Sequence, residues 1–136
     1  MNQEHSANQT EKRPLSILVV EDNLINQRLI MASLARIGHK VDSAADGLIA
    51  VDKFKVNTYD AILMDIMMPN MDGVTACKLI RELEKERIAA GARRIKIIAV
   101  TANAYDDDQD TFVEAGMDDI MNKPIDIEKL QQMLYA

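Results

Sequence analysis

Three short apolar runs punctuate the chain, at residues 15–20, 61–64 and 95–100. They are rich in Ile, Val and Leu and show little polar alternation, the pattern of strands buried on both faces of a parallel sheet. Weaker strand patterns lie at residues 39–44 and 117–121. Helical spacing fills the intervals. Ile30, Leu34 and Ile37 fall at i, i+4 and i+7, and Gly38 follows as a C-terminal stop. Asp46 and Gly47 open a second helix that runs to about Val56. Ala76, Leu79, Ile80 and Leu83 mark a third. A more acidic helix is expected over residues 104–115, stopped by Gly116, and Ile127, Leu130 and Leu134 mark the last. Strand then helix, five times over, predicts an α/β fold: an open parallel sheet with helices on both faces.

Residues 1–13, "MNQEHSANQTEKR", stand outside this pattern. Their only apolar members are Met1 and Ala7, too few to offset the entropy of ordering. They are expected to form a flexible leader or linker stub, with one domain over residues 14–136. The 136 residues suit a single core. A net charge of −6 argues against nucleic-acid and membrane-surface roles, which need a basic face. No apolar run approaches a membrane span, no signal-peptide pattern is visible, and Cys77 is alone. The expectation is a cytoplasmic, monomeric protein.

The strand ends carry the chemistry. The first strand is followed by Glu21 and Asp22, the third by Asp65, the fourth by Thr101, and the fifth by Asn122, Lys123 and Pro124. After Asp65, the residues Pro69, Asp72 and Gly73 are expected to break the chain into a loop. In open parallel sheets, ligands bind outside the carboxyl ends of the strands. Glu21, Asp22, Asp65, Thr101 and Lys123 should therefore crowd one edge. Three clustered carboxylates repel one another unless a cation intervenes. Oxygen donors without His or Cys favour Mg²⁺. A carboxylate can attack phosphorus and form an acyl phosphate. Thr101 can donate to a phosphoryl oxygen, and Lys123 can pair with its charge. Asp65, held at the tip of an interior strand, is the expected phosphoryl acceptor.

The segments "LVVEDN" (18–23), "LMDIMMPNMDG" (63–73), "VTANA" (100–104) and "GMDDIMNKPI" (116–125) together resemble the receiver domain of two-component response regulators. The wording of "EDN", with Asn26 nearby, and of "TANA" is most similar to receivers of hybrid sensor histidine kinases. The resemblance covers residues 15–136. It implies the flavodoxin-like fold, with strand order 2-1-3-4-5 and five helices. It implies phosphotransfer to Asp65 from a phosphohistidine donor, either a histidine kinase or a histidine phosphotransfer protein. It also implies that Asp22, Asp65 and the backbone carbonyl of Met67 bind Mg²⁺, with Glu21 acting through water and Thr101 and Lys123 touching the phosphoryl group. Such a domain is not an enzyme on other substrates; it catalyses only its own phosphorylation and dephosphorylation. No output segment follows Ala136, so a receiver belonging to a hybrid kinase is expected ahead of a stand-alone regulator. Lys123–Pro124 is expected to be cis, both by resemblance and because the chain must turn sharply there.

One departure stands out. Receivers usually carry Tyr or Phe three residues before the lysine, where this chain has Ile120. Ring switching from that position is not expected; Tyr105 lies in the segment after Thr101 without a sign that it substitutes, and movement of Thr101 and its loop is the alternative. Two other readings compete. A phosphatase of the haloacid dehalogenase type needs a second Asp two residues after the first, where Met67 stands. A flavodoxin-like electron carrier needs a Ser/Thr/Gly-rich loop after the first strand and aromatics for the flavin; "EDNLIN" follows instead, and aromatics are 4%. The acidic run "DDDQD" (106–110) reads as a solvated helix start.

Overall fold

A computed structural model describes residues 13–136, so the expected leader falls outside the described residues except for Arg13. Arg13 itself is tied down: its guanidinium lies 3.3 Å from Asp60, and the Tyr135 hydroxyl donates to its carbonyl.

Five strands form one parallel sheet: β1 (Ser16–Val20), β2 (Lys40–Ala44), β3 (Ala61–Asp65), β4 (Lys96–Thr101) and β5 (Asp119–Asn122). Their order is β2-β1-β3-β4-β5, as the resemblance implied. The helices are α1 (Leu24–Arg36), α2 (Gly47–Val56), α3 (Gly73–Ala89), α4 (Gln109–Ala115) and α5 (Ile127–Leu134). Alternate residues of each central strand feed two separate cores. Leu18, Val20, Ile62, Met64, Ile97 and Ala99 pack under α2, α3 and α4, around Phe54, Ile80 and Phe112. Ile17, Val19, Leu63, Ile98 and Val100 pack under α1 and α5, around Leu34, Leu130 and Leu134. This two-sided burial explains why the interior strands lack polar alternation. The strand order reverses at β1 and β3, and there the two following loops diverge to opposite faces and open a crevice.

Several local expectations are corrected. The acidic helix does not span 104–115. The Asp106 and Asp107 N–H groups both donate to the Asn103 carbonyl in a turn, and Asp108 then caps α4 through the Thr111 N–H. Local side-chain and turn bonding has taken those residues from the helix. His39 is not part of β2; it is buried ahead of it, and its Nδ1 accepts from the Leu15 N–H at 3.0 Å. The fifth strand is shifted later, to Asp119–Asn122, because the Asp118 N–H donates to Ile97 and its carboxylate accepts from the Ile97 N–H before pairing begins. Asp72 and Gly73 do not extend the loop after β3. Asp72 caps α3 by accepting from the Thr75 N–H at 2.8 Å, and Gly73 is the first helical residue. The Lys123–Pro124 bond is cis.

Candidate functional site

Each site residue sits where a strand lets go of the sheet. Glu21 is still tied to β2, its N–H donating to Ala44 at 3.0 Å. Its carboxylate is buried and accepts from the Asn23 N–H at 3.1 Å. Asn23 in turn caps α1 by accepting from the Asn26 N–H. The buried Gln27 side chain donates to the Glu21 carbonyl at 3.1 Å, which fixes the backbone from below. Asp22, next in the chain, is exposed.

Asp65 is the last residue of β3 and only 3% exposed. The Ile66 N–H continues the ladder to Val100, and the Gly73 N–H then donates to the Ile66 carbonyl at 3.0 Å. A side chain at Gly73 would overlap the Asp65 carbonyl oxygen and press on Met64 at 2.9 Å, so the start of α3 can approach the acid this closely only without one. Met67 stands two residues on; its N–H donates to Asp65 Oδ1 at 3.4 Å while its side chain is exposed. Asn70, in the same loop, holds a positive φ of 66° and donates to the Asp46 carboxylate that caps α2.

Lys123 closes the site. Its N–H donates to the Thr101 carbonyl at 2.8 Å, and its Nζ lies 3.0 Å from Asp65 Oδ2 and 3.3 Å from Glu21 Oε1. Burial pulls the ammonium pKa down, but the hydrogen bond and charge of Asp65, with that of Glu21, outweigh it and hold the group above the ordinary lysine range. Glu21, Asp22 and Asp65 each offer an oxygen within 4.8 Å of the others. With no nitrogen or sulfur donor in the set, that cluster suits one hard cation.

Asp65, Met67, Thr101, Asn103, Asp107 and Lys123 line a cavity of about 380 Å³ beside the acids. Thr101 is buried, and its hydroxyl donates not to Asp65 but to Asp107 Oδ2, at 2.5 Å. The Asn103 N–H donates to the same hydroxyl at 3.3 Å. All five strand-end residues expected from the sequence therefore share one edge, with Lys123 bridging two of them. Asp107 was missed. Nothing in "DDDQD" distinguishes the one acid that turns inward from those that face water.

Other candidates resolve into structure. Burial pushes the Cys77 thiol up to about 11, and its Sγ lies 3.3 Å from the Ala115 carbonyl, an inert environment. Arg81 and Glu84, both largely buried, tie α3 to Asp118 and to the backbone at Ile95. Ile120 is half-buried against the core beneath α4.

Comparison with known proteins agrees with this geometry. The sequence profile of the response regulator receiver domain matches residues 17–135. The chain is 37% identical over 135 residues to a histidine protein kinase of Candida albicans, covering 96% of this chain and 5% of that protein. It is 38% identical over 123 residues to the signal transduction histidine-protein kinase BarA of Shigella flexneri, covering 90% of this chain and 13% of that protein. The chain thus spans only a small fraction of these relatives. Among solved structures, it is similar to the receiver domain of a sensor histidine kinase from Pseudomonas aeruginosa, crystallised with a magnesium ion in its active-site cleft. That match has 42% identity and a TM-score of 0.77, covering 90% of this chain and 95% of that one. A second match is a co-crystal from Saccharomyces cerevisiae of a histidine phosphotransfer signalling protein and the receiver domain of its downstream response regulator. It has 28% identity and a TM-score of 0.80, covering 89% of this chain and 86% of that one.

Proposed function

The chain belongs to the response regulator receiver family, and from that premise we propose that it relays a phosphoryl group through Asp65. The observation that carries this reading is Lys123 Nζ on Asp65, itself one of three carboxylates whose oxygens lie within 4.8 Å of one another. An Asp65 oxygen attacks the phosphorus of a phosphohistidine. The P–O bond forms as the P–N bond breaks, and the electron pair returns to the imidazole nitrogen. Lys123 orients the nucleophile and then pairs with the transferred charge. The Thr101 hydroxyl donates to a phosphoryl oxygen. Asp22, Asp65 and the Met67 carbonyl would hold Mg²⁺, with Glu21 acting through water, and the ion would supply positive charge to offset that of the phosphoryl oxygens. The family's role and the fit of the donor set to a hard cation support this assignment.

The donor is proposed to be a histidine kinase or a histidine phosphotransfer protein, met by a monomer in the cytoplasm. Among the described residues, no helix is long and apolar enough to cross a membrane. Leu24, Ile25 and Leu29 of α1 are exposed, beside a groove of about 370 Å³ lined by Ile30, Pro124, Ile125 and Ile127. Glu21 and Lys123 lie at its edge. An apolar helix carrying a phosphohistidine would fit such a surface, and the net charge of −6 disfavours nucleic acid. The domain acts on no other substrate in this reading. The phosphatase alternative is disfavoured because Met67 cannot transfer a proton. The flavin alternative is disfavoured by the acidic β1–α1 turn. The test is intact mass after treatment with acetyl phosphate and Mg²⁺. One phosphoryl group per chain is expected, absent in Asp65→Asn and in excess chelator. Unimpaired uptake by either would refute the reading.

A further inference from the structure

The Thr101 hydroxyl has one proton, and that proton is engaged. It is donated to Asp107 Oδ2 at 2.5 Å, while the Asn103 N–H occupies the oxygen's acceptor side at 3.3 Å. Asp107 is held in place by its own backbone, whose N–H donates to the Asn103 carbonyl at 2.9 Å. The loop is pinned further on. The Ala104 N–H donates to Asn122 Oδ1 at 2.7 Å, and the Gln109 side chain donates to the Ala104 carbonyl at 2.8 Å. Asp65, Thr101 and Asp107 line the same cavity. A phosphoryl group on Asp65 would need the Thr101 proton that Asp107 now holds. The two arrangements exclude each other.

We propose that Asp107 is a positioning residue that competes with the phosphoryl group for the Thr101 hydroxyl, so that release of the Thr101–Asp107 bond is the conformational step that phosphorylation drives. The proposal rests on Asp65 as the phosphoryl acceptor. Asp107 holds the 101–109 loop in its resting form, and its release moves that loop without any aromatic ring at position 120. The same bond sets a threshold. Phosphorylation must break a charge-assisted hydrogen bond before Thr101 can turn, which lowers the apparent affinity for the phosphorylated state.

The test uses beryllofluoride, a phosphoryl mimic that binds a carboxylate reversibly, titrated with Mg²⁺ into the full chain and read by calorimetry. Asp107→Ala is expected to bind it roughly tenfold to a hundredfold more tightly than wild type, the range for loss of a hydrogen bond to a charged group. Asp107→Asn should fall between the two. In a Thr101→Ala background, Asp107→Ala should change nothing, and a Thr101→Ser background should restore the gain. Equal or weaker binding by Asp107→Ala would overturn the proposal. So would a full gain in the Thr101→Ala background, because a general charge effect of Asp107 persists there and hydroxyl competition does not. Failure of wild type itself to bind would overturn the Asp65 assignment and this proposal with it. Binding by wild type with no Asp107 effect would overturn this proposal alone.

Discussion

Replacing Lys123 with Ala leaves Asp65 and Glu21 facing each other with no protein cation between them. The lost contacts are 3.0 Å and 3.3 Å long, and both carboxylates are only 3% exposed. Breaking a buried ion pair costs about 3–5 kcal/mol. The Lys123 side chain keeps 30% of its exposure, so water screens part of that loss and a cost of roughly 2–3 kcal/mol is expected. For a domain of this size that lowers Tm by roughly 10 °C. The assay is urea denaturation in excess chelator and again in Mg²⁺. A cation in the acid cluster replaces the missing ammonium, and a ligand at a hundred times its Kd stabilises by about 2.7 kcal/mol. Mg²⁺ should therefore stabilise Lys123→Ala more than wild type and return most of the loss. The pH dependence has a definite sign. Because the folded ammonium titrates above its ordinary value of 10.5, its contribution is complete below that pH and is lost as pH rises through the folded value. The gap between wild type and variant should thus close only at strongly alkaline pH. A loss below about 0.5 kcal/mol, within the range of ordinary surface substitutions, would refute the reasoning. An undiminished loss in Mg²⁺ would refute it equally.

Gly73→Ala should cost about 1–3 kcal/mol by overpacking and should slow acetyl phosphate turnover, because the added methyl group displaces the Asp65 carbonyl; wild-type stability and rate would show that the close approach does not position the acid. Glu84→Ala removes a buried carboxylate that accepts from the Ile95 N–H at 2.6 Å and from Arg81 at 2.8 Å, and should cost about 3 kcal/mol of stability, read as a lower urea midpoint at unchanged m value. Phosphoryl uptake by the folded Glu84→Ala protein should persist, since this network lies away from Asp65; its loss would count against that separation.

How far the sequence can be read follows the strength of each local signal. The interior strands β1, β3 and β4 are legible because burial on both faces leaves nearly continuous apolar runs. The edge strands β2 and β5 are blurred because most of their residues are only partly buried, and Lys40 and Asp119 look like loop residues. Gly73 misleads because glycine usually ends structure; here its missing side chain lets α3 begin against Asp65. The run at 106–110 misleads in the opposite way. Its acids suit a helix start, but Asp108 alone is the cap, and Asp106 and Asp107 turn back to Asn103. Strand ends locate Glu21, Asp22, Asp65, Thr101 and Lys123 because parallel topology brings those ends together whatever the loops do. The partner of Thr101 depends on the path of one loop, and no periodicity encodes that.

The central claim is that Asp65 receives the phosphoryl group, and the most direct measurement is its chemical location. Borohydride converts an acyl phosphate to an alcohol, hydride reducing the carbonyl carbon as phosphate departs. After acetyl phosphate, Mg²⁺ and borohydride, tandem mass spectrometry of the digested chain should find the reduced residue at position 65, with none at Glu21, Asp22 or Asp107. Reduction at any of those three acids with Asp65 intact would contradict the account.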